Sequence, residues 1–222
     1  MITLLEKEYC YLIENFFPPS IVAGFTKNNL SLSIWERNLI EGLGFLHKHL
    51  KIAHLAQQHS VIVNFIDKEG IYTGDGLFTK EKNLILVVKT ADCLPLFFFE
   101  EKRKIIGMVH LGWRSGLRGI LEGLDIDFSL CKLMVGVGLR RCCFRVKEDF
   151  LHYRKFSPFI KKERDSLYFD PIMFLKEVSF SRGLKKKNFG DLNICSFCSQ
   201  NKFFSYRRDK TQKRTLSFIV KL

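Results

Sequence analysis

Three residues with metal-binding or nucleophilic side chains, His59, Cys93 and His110, stand where predicted strands begin or end. Loops at strand ends are where a rigid scaffold usually carries functional groups, whereas a histidine or cysteine inside a strand more often only packs. Two imidazoles and one thiolate suit zinc, and three protein ligands leave the fourth tetrahedral position for water or substrate. The three residues are 34 and 17 positions apart and include no short ligand pair, so a structural role for each histidine stays open.

The same side chains could also act without a metal. Cys93 could be a nucleophile with His110 as its general base, as in a cysteine hydrolase or amidase, a chemistry that would suit the editing of cell-wall peptide precursors. Asp92, next to Cys93, could orient a ligand histidine or carry a proton. It could equally be a turn residue at the strand end.

Two arginines are candidates for binding an anionic group. Arg114 follows His110 at the start of a predicted helix, whose N-terminal end favours anions, and is the first candidate for phosphate. Arg207, which precedes Arg208, is the second. A salt bridge on the surface is the alternative role for these side chains.

Alternating strands and helices are predicted to position these residues. Runs rich in β-branched and aromatic residues indicate strands at 60–66, 84–88, 94–99, 104–110, 132–138 and 215–220. Helices are predicted at 36–50, where leucines recur at helical spacing, after Gly112, and from Asp170 to 181, where Asp caps the helix and Pro takes its first position. Neither a repeat nor a Pro-, Gly- or Ser-rich linker divides the chain, which predicts one α/β domain over residues 1–222.

The composition excludes several classes of protein. With 222 residues, 46% of them hydrophobic, the chain can bury a core and is not disordered. No apolar run reaches the ~18 residues that a membrane helix needs, and charges near Met1 exclude a secretion signal, so we expect a cytoplasmic protein without membrane partners. The formal net charge of +13 favours anionic partners, but the basic residues are scattered along the chain, which argues against specific nucleic-acid binding.

Five segments resemble, in order, those of one known family. They are QQHS at 57–60, KTADCLPLFF at 89–98, VHLGWRSGLRGIL at 109–121, GVGLRRCCFRV at 136–146 and FFSYRRD at 203–209. TADC followed by HxGWR is highly specific for the YfiH-type family, also called the multicopper polyphenol oxidase or laccase-like family. Its members are described as zinc-dependent purine nucleoside phosphorylases with adenosine deaminase activity. The resemblance runs from about residue 23 to 222.

The resemblance implies a fold, a metal and a reaction. The fold would be a single-domain layered α/β sandwich of mixed β-sheets flanked by helices, and His59, Cys93 and His110 would be the zinc ligands. Such a zinc ion can bring the pKa of a bound water toward ~7 and so supply hydroxide for deamination. Phosphorolysis instead needs clustered cations to hold phosphate. We therefore expect a monomeric zinc-dependent purine nucleoside phosphorylase, acting on adenosine, inosine or methylthioadenosine with phosphate, with adenosine deaminase as a second activity.

Two aromatic residues and one substitution bear on how the substrate is bound. Trp113 and Phe97 could stack on a purine, although in a chain with 22 phenylalanines an aromatic side chain is usually core. Ser115 stands where the family usually has a glycine. Such departures leave the substrate preference open.

The remaining cysteines are predicted to bind no metal. Adjacent Cys142 and Cys143 cannot readily both ligate one tetrahedral ion, and Cys195 and Cys198 form a C-x-x-C pair that no second pair follows. Copper oxidation is rejected as the main activity, because the chain lacks the multiple His-x-His pairs that a trinuclear copper site would require.

Overall fold

Two large mixed β-sheets lie face to face at the centre of the protein, with helices and a small third sheet on their outer faces. The computed structural model describes residues 1–28, 35–43 and 49–222. Within them the α-helices are α1 (Trp35–Leu43), α2 (Trp113–Leu117), α3 (Pro171–Ser181) and α4 (Tyr206–Asp209). The strands are β1 (Thr3–Glu6), β2 (Cys10–Glu14), β3 (Ile21–Thr26), β4 (Lys51–Ala56), β5 (Val63–Phe65), β6 (Gly70–Thr73), β7 (Gly76–Thr79), β8 (Leu84–Thr90), β9 (Leu94–Glu100), β10 (Ile105–Leu111), β11 (Cys131–Val135), β12 (Arg145–Val146), β13 (Ile160–Glu163), β14 (Ser166–Phe169), β15 (Phe189–Asp191) and β16 (Thr215–Lys221).

The three sheets of the described residues combine parallel and antiparallel neighbours. The first has the strand order β1-β2-β3-β16-β8-β4-β6, the second β15-β11-β9-β10-β7-β5, and the third β12-β14-β13. Most neighbours are antiparallel, but β4 runs parallel to β6 and β8, β5 to β7, and β11 to β15. The predicted layered α/β sandwich of mixed sheets is therefore confirmed.

The central strands β8 and β9 are apolar over most of their length, and both of their faces are covered. In β9, Leu96 and Phe98 pack toward the helices and the third sheet, while Phe97 and Phe99 pack between the two large sheets. In β8, alternate residues face the second sheet and α1 in the same way. A strand buried on both sides loses the polar alternation of a surface strand, which explains the continuous apolar runs of the sequence.

Most of the predicted strands and the helix from Pro171 to Ser181 are confirmed, and the differences have local causes. The strand predicted at 60–66 is short, because the amide of Ser60 is bonded to the Asp75 carboxylate instead of to a neighbouring strand. The predicted helix after Gly112 ends at Leu117, and Gly119 follows with a φ of +91°. Of the helix predicted at 36–50, α1 covers the part up to Leu43, and residues 44–48 lie outside the described residues.

None of the helices in the described ranges combines the length and the apolar character that a membrane crossing requires.

Candidate active site

The registers of four strands bring the predicted metal-binding residues to one end of the second sheet. His110, near the end of β10, pairs across the sheet with Pro95, so Cys93 lies just beyond it at the start of β9. On the other side of β10, the amide of His110 donates to the carbonyl of Asp75, which precedes β7. His59 lies in the loop before β5, the parallel neighbour of β7. Residues far apart in sequence therefore meet because their strands end at one edge.

His59, Cys93 and His110 form a cluster whose ligand atoms all lie within 4.8 Å of one another. Nδ1 of His59 is buried and has no hydrogen-bond partner, which is a costly state for a polar atom unless something binds it. Gly112 leaves room beside that atom, since a Cβ there would lie 2.4 Å from Nδ1 of His59 and 3.3 Å from Sγ of Cys93. Two borderline nitrogen donors and one soft sulfur donor around such a space fit a zinc ion.

A buried carboxylate, Asp75, organises two of the three residues. It accepts hydrogen bonds from the backbone N–H groups of Gln58, His59 and Ser60 and from the Ser60 hydroxyl. Its Oδ1 atom also lies 2.7 Å from Nδ1 of His110. An ionised carboxylate can only accept, so Nδ1 of His110 carries the proton and Nε2 is left free to bind a metal.

Burial and charge shift the pKa values of these groups in different directions. Burial opposes the ionisation of Asp75, but hydrogen bonds from His110 and Ser60 outweigh it and lower its pKa to about 2. Burial favours neutral His110, yet the negative charges of Cys93 and Asp75 and their hydrogen bonds raise its pKa to about 9. Burial and the neighbouring His110 lower the pKa of His59. A metal ion takes only deprotonated ligands, so binding one here would displace protons from the cluster.

Two residues of the site have the left-handed backbone conformation that is uncommon outside glycine. His59 has a φ of +56° and Asp92 a φ of +97°. Such conformations cost of order 1–3 kcal/mol and persist only where the surroundings impose them. At His59 the hydrogen bonds to Asp75 impose the conformation, and the strained turn aims the imidazole at Cys93 and His110.

Asp92 lines the site but anchors loops instead of orienting a histidine. Its carboxylate accepts from the Ser196 hydroxyl at 2.8 Å and from the backbone amide of Arg207 at 2.6 Å, and its carbonyl accepts from Leu139. The orienting role that sequence analysis considered for Asp92 belongs to Asp75. In the sequence, only the flanking glycines of Gly74-Asp75-Gly76 indicate that this carboxylate lies where the chain packs closely against its neighbours.

The cluster lies at one wall of a cavity of about 840 Å³ that is rich in cations. Among the described lining residues the carboxylates are Asp92 and Asp149, and the cations are Lys89, Arg114, Arg145, Lys147, Arg207, Lys210 and Arg214. A concave surface with this excess of positive charge concentrates anions.

The arginines near the cavity have distinct environments. Arg114 is exposed and its guanidinium lies 4.6 Å from the Trp113 ring. Arg207 is held more firmly, because its Nη1 donates to the carbonyls of Cys143 and Arg145, and burial lowers its pKa. Arg214 was not selected by sequence analysis, yet it lines the cavity, and its charge and that of Arg114 help to lower the pKa of His59.

Aromatic side chains also line the cavity. Trp113 packs against Phe150 and borders the cavity, as do Phe144 and Tyr206. Phe97 is fully buried between the two large sheets and is core. Ser115, the family departure, is also buried, and its hydroxyl accepts from the amide of Gly112 and so supports the turn beside the cluster.

Comparison with known proteins agrees with this architecture. Residues 35–221 match the family model described as multi-copper polyphenol oxidoreductase laccase. The chain therefore belongs to this family. It is 33% identical to a protein of Campylobacter jejuni over 96% of both chains, and 29% identical to one of Borreliella burgdorferi over 83% of this chain and 85% of that one; both carry the name purine nucleoside phosphorylase.

Solved structures show the same fold. The hypothetical protein YfiH of Bacillus licheniformis superimposes with a TM-score of 0.83 at 20% identity, covering 100% of this chain and 99% of that one. YlmD of Geobacillus stearothermophilus gives 0.82 at 21% identity, covering 98% of this chain and 97% of that one.

A first prediction concerns the space at Gly112. Gly112→Ala should abolish tight zinc binding, since the added methyl group meets Nδ1 of His59, while the protein stays folded at a cost of about 1–3 kcal/mol in unfolding free energy. Gly123→Ala, whose Cβ would have only ordinary contacts, is the matched control. Metal analysis and thermal unfolding measure both effects. Full zinc retention by Gly112→Ala would show that no ion binds in the space beside Nδ1 of His59.

A second prediction concerns Asp75. Asp75→Asn should weaken zinc binding by roughly 10–100-fold, because the amide can no longer accept at both atoms and His110 loses its orienting carboxylate. Asp149→Asn, an exposed carboxylate on the same cavity, should leave the affinity unchanged. Competition with a fluorescent chelator measures both, and equal affinities in the two variants would contradict the orienting role.

Proposed function

We propose that the protein is a zinc-dependent purine nucleoside phosphorylase. The observation that carries the proposal is the cluster of His59, Cys93 and His110, supported by Asp75, at the wall of a cation-rich cavity. The names of the relatives support the same reaction class. The proposed substrates are phosphate and a purine nucleoside such as adenosine, inosine or methylthioadenosine.

The cations of the cavity would bind and orient phosphate. In phosphorolysis a phosphate oxygen forms a bond to C1′ of the ribose while the bond from C1′ to the purine nitrogen breaks, and the departing base takes the electron pair and a proton. The exposed guanidinium of Arg114 can bind two phosphate oxygens at once. Arg214, near His59, adds positive charge on the same side, and Arg207 fixes the wall through its bonds to backbone carbonyls.

The aromatic side chains would hold the base. Tyr206 is 48% exposed at the cavity, and Trp113 lies beside the metal-binding residues, so a flat purine can pack against either ring. Packing there would keep the base out of water and place its ring edge toward the cluster. Both rings lie on the cavity wall and not in the core between the large sheets, which is what stacking on a ligand requires.

His59, Cys93 and His110 would hold the zinc ion, and Asp75 would fix the ring of His110. When bound, zinc supplies Lewis-acid chemistry, lowering the pKa of water and polarising an oxygen or nitrogen acceptor. The same site would therefore support adenosine deaminase as a second activity, in which water replaces the amino group at C6 and ammonia leaves.

One observation favours a second candidate, a metal-free cysteine hydrolase. The thiol of Cys93 lies within 4.8 Å of a ring nitrogen of His110, and Nδ1 of His110 lies 2.7 Å from Oδ1 of Asp75, which is the order of a nucleophile, its base and an orienting group. The unpartnered Nδ1 of His59 has no role in that mechanism, whereas it has one as a metal ligand. We therefore place the zinc enzyme first.

A third prediction concerns phosphate. Release of free base from adenosine, inosine or methylthioadenosine should require phosphate and yield ribose 1-phosphate or its methylthio analogue in equal amount. Arg114→Ala should lower kcat/KM for phosphate by about 10–100-fold, the value of one charge-assisted contact, and affect nucleoside binding less. Arg118→Ala removes an equally exposed arginine that does not line the cavity. Base release without phosphate, or equal effects of the two substitutions, would contradict the proposal.

A fourth prediction separates the two candidate functions at Cys93. A metal-bound thiolate resists alkylation until the metal is removed, whereas an activated nucleophile reacts fastest in the native enzyme. Iodoacetamide should label Cys93 at least about tenfold faster after chelation, and zinc should restore activity to unlabelled protein. Peptide mass spectrometry locates the label among the seven cysteines. Fast labelling of zinc-loaded protein, with full activity in chelator, would favour the hydrolase.

A further inference from the structure

A second group of metal-ligating side chains lies apart from His59 in the described residues. The sulfur atoms of Cys142, Cys143, Cys195 and Cys198 all lie within 4.8 Å of one another. Sγ of Cys198 is 3.7 Å from that of Cys142 and 3.3 Å from that of Cys143. The sequence predicts no metal at these cysteines, but the structure brings all four together.

The fold joins two loops to form this four-cysteine cluster. Cys142 and Cys143 lie in a 3₁₀ turn, Arg141–Cys143, which rotates the two adjacent side chains toward the same partner. Cys195 is held beside the first loop by a parallel bridge to Gly138, and the amide of Ser196 donates to the Gly138 carbonyl. The objection that adjacent cysteines cannot share an ion therefore does not hold in this turn.

We propose that Cys142, Cys143, Cys195 and Cys198 bind a second zinc ion as a tetrahedral four-thiolate site. With zinc–sulfur bonds of about 2.3 Å, the sulfur atoms of such a site are about 3.8 Å apart, close to the observed 3.3 and 3.7 Å. A disulfide bond would need a sulfur–sulfur distance of about 2.05 Å. On binding, the thiols release their protons to solvent and no electron transfer is involved. Cys142 and Cys198 are exposed, so the ion can enter directly from water.

Hydrogen bonds hold the loop that carries Cys195 and Cys198. The amide of Ser199 donates to the carbonyl of Cys195, and the amide of Gln200 donates to the carbonyl of Cys198. Arg208 donates to the carbonyls of Ser196 and Phe197, the two residues inside the C-x-x-C pair, and so holds the loop. The positive charge of Arg208 at this loop would partly offset the net charge of −2 that four thiolates and one Zn²⁺ carry.

The four-cysteine cluster is also connected to the candidate active site. Ser196, between two of its cysteines, donates to the Asp92 carboxylate, and Nη1 of Arg207 donates to the carbonyl of Cys143. A zinc ion at the cluster would therefore fix both loops that carry the Asp92 and Arg207 side of the cavity. Its role is structural, since the four thiolates leave no open position for substrate.

Metal analysis of variants tests the second site independently of the proposed reaction. The full chain, purified without chelator, should contain two zinc ions, and Cys195→Ser with Cys198→Ser should contain one. His59→Ala with His110→Ala should also contain one. Because each double variant removes the ligands of one site only, the loss of zinc in each shows separately whether that site binds an ion. Cys10 belongs to neither cluster, so the control variant Cys10→Ala should keep both ions.

Cobalt substitution identifies the ligands without relying on activity. Cobalt-loaded His59→Ala should keep the intense thiolate-to-cobalt absorption of a four-sulfur site, and Cys198→Ser should lose it. Cys198→His should keep one ion at the cluster, because histidine also binds zinc, and circular dichroism shows whether each variant is folded. A zinc content that Cys195→Ser with Cys198→Ser leaves unchanged, iron in place of zinc, or a disulfide between these cysteines in freshly alkylated protein would overturn the proposal.

Discussion

The rest of the site depends on one buried charge, the carboxylate of Asp75. It lies between a loop with a left-handed histidine and the end of β10, and it satisfies donors from both. Without this carboxylate the loop amides would lose their acceptor and His110 would be free to rotate. The arrangement of His59, Cys93 and His110 thus rests on a residue that lies outside their cluster.

Much of the fold could be predicted because its strands are buried on both sides. Continuous apolar runs marked β8, β9, β10 and β16 with small errors in their ends. The antiparallel pairing of β9 and β10 also places Cys93 near His110, and the motif around them is distinctive enough to suggest a metal. Local sequence fails where a long-range contact decides the structure, as at Ser60, whose amide donates to the Asp75 carboxylate, so that β5 begins only at Val63.

Asp75 and the four-cysteine cluster were missed for related reasons. Asp75 is a single carboxylate between two glycines, and only the register of β7 against β10 shows that it faces His110. Cys142 and Cys195 are 53 residues apart (195 − 142), and a parallel bridge at Gly138 brings their loops together. Spacing rules for metal ligands describe short motifs. They therefore do not detect a site that two adjacent cysteines form together with a distant C-x-x-C pair.

The position of β16 also has a consequence for how the chain folds during translation. This strand follows the other strands of the described residues in sequence, yet it lies between β3 and β8 in the middle of the first sheet. Until the ribosome has released residues 215–221, the hairpins β1–β3 have no strand linking them to the rest of the sheet, and two unpaired edges remain exposed. A ribosome stalled shortly before β16 would therefore leave an aggregation-prone chain, with strand edges that chaperones could cover.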